Sequence, residues 1–386
     1  MIVIGGGIHG AGVAQAAAAH GYSVCLLEQN EIASGTSSKS SKLIHGGLRY
    51  LESGQFSLVQ ECLQERQYLL NNAPHLVALK PFIIPIYRQT KRRPLTIRLG
   101  LSLYAMLDRF RSSGLFKSIK KNNWSELDGL TQKDLEHVFQ YWDAQTDDKL
   151  LTQAVIKSAI SLGCAIQKPA TVTSLVNRSN MWEVEFEKEN QKQTLEAKVV
   201  VNTAGPWVNR VLEKVKPVPK IKPVDLVQGT HIVIEGEVTK GIYYLESPID
   251  QRAIFVMPWY GKTMIGTTEK NYTGDPAKVE ASEEEVAYLL ESVKFYFPKH
   301  QHLQIERVVE QFAGLRVLPV AEGAAFSRPR ETDIFEDGET APGLFTVYGG
   351  KLTAYRATSA QVIDKVSHLL PKVKVLADTR YLKLPE

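Results

Sequence analysis

The sequence predicts an α/β protein, α+β overall, in which a Rossmann-like nucleotide-binding domain is combined with a second, mainly antiparallel β-sheet domain. Three features predict this fold. A strand, glycine loop, helix and strand follow one another at the N-terminus, alternating strands fill the middle, and a strand, a glycine pair and a helix lie near the end. A β-α-β unit indicates a parallel sheet. The late strand and helix are expected to return to that sheet, which makes the nucleotide-binding domain discontinuous.

The N-terminal unit is short and regular. Residues 2–4 are an apolar run that ends at Gly5, and residues 11–20 are rich in alanine, which favours a helix. Gly21 is a suitable C-cap for this helix. Residues 23–27 form a second buried strand, which Glu28 closes.

The rest of the chain alternates between helical spacing and strand-like runs. Ser282 followed by three glutamates forms a capping box, which predicts the start of a helix. Helices are predicted for residues 57–70, 95–110, 147–162, 282–297 and 352–370. Strands are predicted for residues 182–187, 198–201, 232–234, 253–258, 263–265 and 344–348. We assign residues 1–75, 147–222 and 311–386 to the nucleotide-binding domain, and 76–146 and 223–310 to the substrate domain.

The composition is typical of a folded globular chain, with 44% hydrophobic and 23% charged residues. The net charge of +4 is a mild excess that suits an anionic substrate or an acidic membrane surface. Nucleic acid is not expected as a partner, because no RNP-like, zinc-finger or basic-helix pattern accompanies the charge. No uninterrupted apolar stretch reaches the ~18 residues of a spanning helix.

The cysteines, Cys25, Cys62 and Cys164, are odd in number and far apart, with no C-x-x-C pair. This spacing argues against a disulfide framework or a zinc site, and no metal ligands are assigned. A reducing compartment follows, so a cytoplasmic location is expected. The first strand begins at residue 2, and we therefore expect no signal peptide.

The glycine loop has the sequence Gly5-Gly6-Gly7-Ile8-His9-Gly10, a G-x-G-x-x-G between a strand and a helix. Such glycines let the backbone approach a pyrophosphate at the helix N-terminus. Glu28, at the end of the second strand, can accept the ribose hydroxyls of adenosine, which disfavours a 2′-phosphate. FAD and NAD remain open at this point, and the alternative is a glycine-rich turn without a ligand.

A hydroxyl-rich segment, residues 34–42, runs directly into Leu43-Ile44-His45-Gly46-Gly47-Leu48-Arg49-Tyr50-Leu51. The stretch SSKSSKLIHGGLRYLE resembles the signature of the FAD-dependent glycerol-3-phosphate dehydrogenases, within the D-amino-acid-oxidase-like flavoprotein superfamily. Further segments are similar to motifs of the same family in the same order: NTAGPWV at 202–208, QGTHIV at 228–233, IGTTE at 265–269, FAGLRVLP at 312–319 and VYGGKLTAYR at 347–356.

The resemblance implies FAD as the cofactor and oxidation of sn-glycerol 3-phosphate to dihydroxyacetone phosphate, with electrons passed to quinone. Three alternatives stay open: an oxidase that uses O2, a related flavoenzyme acting on another alcohol or amine, and a flavin-binding interaction module without activity of its own. Two departures bear on the acceptor and the oligomer. Pro329 follows Arg328 where the family has an acidic residue, and the chain ends at Glu386, where family members continue into a helical domain.

The resemblance also implies the site residues. Arg49, Tyr50, His231, Arg316 and Arg328 are expected to bind the substrate, because guanidinium groups match phosphate oxygens. His231, Arg316 and Lys351 are the expected catalytic residues. His231 is expected to orient the substrate hydroxyl or accept its proton, since a histidine can titrate near neutral pH. For each, the alternative is an ordinary ion-pair or core residue. The expected cofactor-binding residues are Gly5, Gly7, Ile8, His9, Gly10, Glu28, Gln29, Thr36, Ser37, Ser40, Ser41, Lys42, Leu43, His45, Gly46, Gly47, Thr171, Val172, Ala204, Gly205, Trp207, Gly314, Arg316, Gly350, Lys351, Leu352 and Thr353.

Residues 80–111 mix cations with apolar side chains, a pattern that can lie in an anionic membrane interface. A solvated helix over the core is the alternative. The cations are Lys80, Arg88, Lys91, Arg92, Arg93, Arg98, Arg109 and Arg111, and the apolar residues are Phe82, Ile83, Ile84, Leu95, Ile97, Leu99, Leu101, Leu103 and Leu107. Peripheral attachment to the cytoplasmic membrane is therefore left open. A homodimer is a separate expectation that is also left open.

Overall fold

A computed structural model of the chain describes residues 1–111, 114–320 and 332–386. Seven α-helices lie in this part of the chain: α1 (Ile8–Ala19), α2 (Phe56–Asn72), α3 (Pro94–Leu107), α4 (Asp148–Ser161), α5 (Val208–Leu212), α6 (Glu283–Tyr296) and α7 (Tyr355–Val366). The strands are β1 (Ile2–Ile4), β2 (Cys25–Leu27), β3 (Leu43–Ile44), β4 (Val77–Tyr87), β5 (Lys117–Ser118), β6 (Leu135–Thr146), β7 (Ala165–Gln167), β8 (Thr171–Arg178), β9 (Met181–Lys188), β10 (Gln191–Ala197), β11 (Val200–Asn202), β12 (Val215–Lys216), β13 (Val224–Ile234), β14 (Ile242–Glu246), β15 (Ala253–Trp259), β16 (Lys262–Gly266), β17 (Lys270–Tyr272), β18 (Val308–Pro319), β19 (Asp333–Glu336) and β20 (Leu344–Tyr348).

The first sheet has six strands in the order β19-β20-β11-β1-β2-β7. All of its pairs are parallel except β19 with β20. Helix α1 packs against both α4 and α7, and its alanines form the centre of this core because small side chains allow close approach. The predicted α/β fold is confirmed, including the return of the late strand β20 and helix α7 to the N-terminal sheet.

The second sheet is the mainly antiparallel one that the sequence predicts. Its ten strands include the path β17-β13-β16-β15-β14-β4-β6-β3, with β18 paired to β13 and β5 to β6. Strand β13 is central, because it pairs with β16, β17 and β18. Helix α6 packs on this sheet through Val286, Leu289 and Val293. A third sheet, β10-β9-β8-β12, lies beside the nucleotide-binding sheet, and both contribute to one apolar cluster.

Two parts of this sheet were not predicted. Strands β4 and β6 pair over their whole lengths, although the prolines of β4 gave no strand signal in the sequence. Strand β3 lies in the segment assigned to the nucleotide-binding domain, yet it pairs with β6 of the second sheet. The segment around β3 therefore connects the nucleotide-binding sheet to the second sheet.

Candidate functional site

A cavity of about 430 Å³ lies between the carboxyl ends of β1 and β2 and one face of the second sheet. Every segment that the sequence analysis placed at the site contributes to its walls. Gly10, Lys42 and Gly46 do not line it, Arg328 lies outside the described residues, and all the other predicted site residues do. The cavity thus brings together chain segments that are more than 300 positions apart, from Gly5 to Thr353.

The glycine loop forms one end of the cavity. Gly10 has no room for a side chain, because an added Cβ would lie 1.8 Å from the carbonyl oxygen of Gly5. The amide of Ile8, at the first turn of α1, donates to the hydroxyl of Ser37 over 2.9 Å. Glu28 accepts from the amides of Gly6 (2.5 Å) and Asn30 (2.7 Å), so its carboxylate faces this loop. A tight turn, a helix N-terminus and a buried carboxylate fit the pyrophosphate and ribose of a dinucleotide.

His9, in the first turn of α1, is in close contact with Gly350. Gly350 has a φ of +115°, and a Cβ there would lie 2.0 Å from Nε2 of His9, so only glycine fits. Nδ1 of His9 is buried and has no hydrogen-bond partner among the described residues. Burial lowers the pKa of His9 to about 4. A neutral, buried imidazole with an open polar atom is consistent with a site that a polar cofactor completes.

The loop from His45 to Tyr50 forms the wall next to Gly350. The amide of His45 donates to the Thr353 hydroxyl over 3.1 Å, which joins this loop to the start of α7. The ammonium of Lys351 lies 4.1 Å from the centre of the Tyr50 ring, a cation–π contact. The guanidinium of Arg49 lies 5.9 Å from the same ring. Two cations and a phenol hydroxyl therefore converge on one side of the cavity.

His231 lies on β13, on the opposite wall. It is buried, its Nε2 is 3.0 Å from the Ser41 hydroxyl, and its ring stacks on Phe312 at 5.1 Å. Burial, reinforced by the positive charges of Arg316 and Lys42, lowers the pKa of His231 to about 3. The ring is therefore neutral, because the imidazolium would be both desolvated and repelled.

Arg316 lies on β18, next to β13, and points to the same wall. Its Nη2 donates to the Thr267 hydroxyl over 3.4 Å, and its Nη1 is 3.5 Å from the Glu269 carboxylate. Gly229 makes room for this arrangement, since a Cβ there would lie 2.6 Å from the Thr267 hydroxyl oxygen. Arg316 is thus held at the cavity by the IGTTE segment.

Lys42 and Gly46 lie behind the cavity walls. Lys42 is buried and forms an ion pair with Asp148 at 2.6 Å, and its ammonium lies 5.2 Å from the centre of the Phe312 ring. Gly46 donates its amide to the Tyr104 hydroxyl over 2.8 Å. Both residues support the cavity walls instead of lining them, because their polar groups are bound to neighbouring elements.

Several lining residues were missed by the sequence analysis, among them Lys39, Tyr244, Arg252, Phe255 and Glu269. Glu269 could have been found from the sequence, because it is the last residue of the IGTTE motif at 265–269 and its carboxylate is a natural partner for a site arginine. Tyr244, Arg252 and Phe255 come from the β14–β15 hairpin. Only the pairing of that hairpin with β4 and β16 brings them to the cavity, and no local pattern reports it.

Comparison with known proteins decides the family. Residues 1–356 match the family described as FAD dependent oxidoreductase. The chain belongs to this family. A glycerol-3-phosphate dehydrogenase of Pseudomonas aeruginosa is 37% identical over 375 residues, which cover 95% of this chain and 71% of the relative. A D-erythritol 1-phosphate dehydrogenase of Brucella abortus is 36% identical, with 97% of this chain and 74% of the relative covered.

A solved structure supports the same assignment. The glycerol-3-phosphate dehydrogenase from Bacillus halodurans, complexed with FAD, has a TM-score of 0.78 and 29% identity, covering 99% of this chain and 67% of that chain. As an FAD-dependent oxidoreductase, this protein has FAD as its cofactor, and the resemblance found in the sequence is confirmed. The described helices include none long and apolar enough to cross a bilayer.

Proposed function

We propose that this protein oxidises sn-glycerol 3-phosphate to dihydroxyacetone phosphate and passes the electrons to a membrane quinone. The observation that carries the proposal is the convergence of Arg49, Arg316 and Lys351 on one cavity with the buried His231. The named activity of the Pseudomonas aeruginosa and Bacillus halodurans relatives supports the substrate.

The glycine loop, Glu28 and the Gly350 turn would hold the FAD, which supplies the hydride acceptor when bound. The protein contributes binding and orientation. Arg49 and Arg316 both line the cavity, and guanidinium groups pair bidentately with phosphate oxygens. Their charges attract a dianionic phosphate, and Arg316 is also held by the Glu269 carboxylate.

His231 orients the hydroxyl group that is oxidised. With a pKa of about 3 the ring is neutral at physiological pH, so one ring nitrogen is a hydrogen-bond acceptor. A bound dianionic phosphate offsets the positive charge of Arg316, which raises the proton affinity of His231 in the complex. His231 therefore becomes a better proton acceptor only when substrate is present.

The test is anaerobic addition of sn-glycerol 3-phosphate to the FAD-loaded protein. Bleaching of the flavin absorption supports the dehydrogenase, whereas an unchanged spectrum at saturating substrate refutes it and leaves a flavin-binding module. Peroxide yield in air then separates quinone-dependent from O2-dependent turnover. D-Erythritol 1-phosphate belongs in the same experiment, because its dehydrogenase is nearly as similar to this chain; faster bleaching by that compound makes the longer polyol phosphate the substrate.

We further propose that α3 contacts an anionic membrane surface. Leu95, Leu99 and Met106 are 69%, 63% and 52% exposed along one side of α3, and Phe110, just beyond its end, is 66% exposed. Exposed cations flank them at Arg98 and Arg109. Arg88 and Arg93 are also exposed, but both pair with the carboxylate of Glu136. An apolar strip with basic neighbours matches an interface with anionic lipid.

This surface is narrower than residues 80–111. The apolar residues of β4 in this stretch are buried, namely Phe82, Ile83 and Ile84. On α3 the inward-facing side chains of Ile97 and Leu101 are buried as well. Arg92 is bound to the carboxylates of Glu52 and Glu246 and is not available to lipid. Met106 and Phe110 were not part of the predicted set, because a composition window does not separate the two sides of a helix.

A further inference from the structure

We propose that Tyr104 is a positioning residue for the loop from His45 to Tyr50, acting through its hydroxyl on the Gly46 amide. The effect on turnover rests on the proposed function, whereas the effect on the flavin does not. Tyr104 lies on α3, does not line the cavity, and is fully buried beneath the loop.

The Tyr104 hydroxyl is held by a chain of buried hydrogen bonds. It accepts from the Gly46 amide over 2.8 Å and donates to the Asp143 carboxylate over 2.6 Å. The other oxygen of Asp143 accepts from Arg66 over 2.6 Å, and Arg66 also binds Asp108 over 2.9 Å. The hydroxyl therefore both accepts and donates a hydrogen bond. Its position depends on Asp143, which Arg66 holds in place.

The contact between Tyr104 and Gly46 has little freedom. A Cβ on Gly46 would lie 2.5 Å from the Tyr104 hydroxyl oxygen and 2.8 Å from the Leu63 side chain. Gly47, with a φ of +76°, has a comparable limit, since a Cβ there would lie 2.2 Å from the Tyr50 ring. Gly46 therefore leaves room for the Tyr104 hydroxyl behind the loop, and Gly47 leaves room for the Tyr50 ring within it.

The loop is attached at a second point. The amide of His45 donates to Thr353, so neighbouring amides are fixed to α7 and to α3. The next residues carry Arg49 and Tyr50, and Lys351 lies over the Tyr50 ring. Removal of the Tyr104 hydroxyl leaves the His45 attachment but takes one partner from the Gly46 amide, whose remaining contact is with the Asp143 carboxylate. The loop is then held less tightly on the α3 side. The expected result is a displaced Arg49 and Tyr50 without loss of the fold.

Tyr104→Phe is the test, because phenylalanine fills the same space and retains the edge-on contact with the Tyr141 ring. Tyr87→Phe is the matched control. Tyr87 is also fully buried and its hydroxyl donates to the Thr131 carbonyl over 2.8 Å, but it lies in the core under α6, away from the cavity. Tyr104→Phe loses two buried hydrogen bonds and Tyr87→Phe loses one, so both lose thermal stability, Tyr104→Phe the more.

The two variants are expected to differ at the site. Tyr104→Phe should raise KM for sn-glycerol 3-phosphate about tenfold, the effect of about one weakened hydrogen bond, with a smaller change in kcat. It should also shift the absorption bands of the bound flavin. Tyr87→Phe should leave KM, kcat and the flavin spectrum unchanged. If Tyr104→Phe has wild-type kinetics and spectrum and only a lower Tm, like Tyr87→Phe, the positioning role is refuted.

Two further results keep the proposal testable. If the wild-type protein shows no bleaching with the substrate, the proposed function fails, and the flavin spectrum of Tyr104→Phe still decides the positioning role. If Tyr104→Phe does not fold, hydrogen exchange of the wild-type holoprotein decides. A protected Gly46 amide supports the bond to Tyr104, and an amide that exchanges at the rate of an exposed loop overturns it.

Discussion

The substitution Asp148→Asn tests the buried ion pair that supports the hydroxyl-rich segment. The side chain of Asp148 is fully buried and that of Lys42 is 5% exposed, with 2.6 Å between Nζ and Oδ1. Oδ2 of Asp148 also accepts from the Ser40 amide over 2.9 Å. Asparagine keeps the shape but has one acceptor oxygen, so either Ser40 loses its partner or Lys42 keeps only the Ser38 carbonyl.

The expected cost follows from the remaining buried charge. Removing one partner of a buried ion pair destabilises a protein by about 3–5 kcal/mol, and the retained amide oxygen places this variant near the lower end. A loss of about 3 kcal/mol lowers the urea midpoint by about 1 M or less, because the m-value of a chain of this length is at or above about 3 kcal/mol/M. FAD affinity should fall about tenfold as well, because Ser40 and Ser41 line the cavity.

The assay is urea denaturation followed by intrinsic fluorescence, with FAD content measured on the same samples. Lys42→Met combined with Asp148→Asn should recover most of the stability, since no buried charge is then left alone. Glu284→Gln is the surface control. Its ion pair with Lys270 has side chains 84% and 55% exposed, so its loss should change stability by less than about 1 kcal/mol. An Asp148→Asn midpoint equal to that of Glu284→Gln would contradict the reasoning.

Three more predictions concern the cofactor site and α3. The free energy of unfolding of the protein without FAD should fall by about 2 kcal/mol for each of His9 and His231 between about pH 7 and pH 5. Their folded pKa values, about 4 and about 3, lie below the ordinary 6.5, so the unfolded chain takes up the protons first. Urea midpoints that do not change over this range would exclude it. Gly350→Ala should reduce the FAD content of the purified protein, whereas Gly261→Ala, which also has a positive φ but nothing within 4 Å, should keep it, and equal FAD content in both would remove the clash with His9 as the cause. Leu99→Glu should weaken co-sedimentation with phosphatidylglycerol vesicles at low salt more than Ile160→Glu does on α4, and equal binding by both variants would argue against α3 as the membrane surface.

Much of the nucleotide-binding sheet could be predicted from local signals. The apolar run before Gly5, the alanine-rich helix and Glu28 lie within one β-α-β unit, where period and turn chemistry are readable in the sequence. The capping box at Ser282 likewise predicted α6 almost to its ends, and both of its hydrogen bonds are present. Strand β4 was not predicted, because its prolines obscured the alternation that its pairing with β6 produces.

The sequence by itself determined the family, the cofactor and the segments that form the cavity, because glycine loops and short motifs report local backbone requirements. Tertiary structure alone decided what individual side chains do within those segments. Lys42 meets Asp148 across 106 positions, and Gly46 meets Tyr104 across 58. Such pairs depend on which strands and helices become neighbours, which no periodicity encodes. The same reason explains why the lowered pKa of His231 cannot be read from the sequence: burial beside Arg316 and Lys42 is a property of the folded chain.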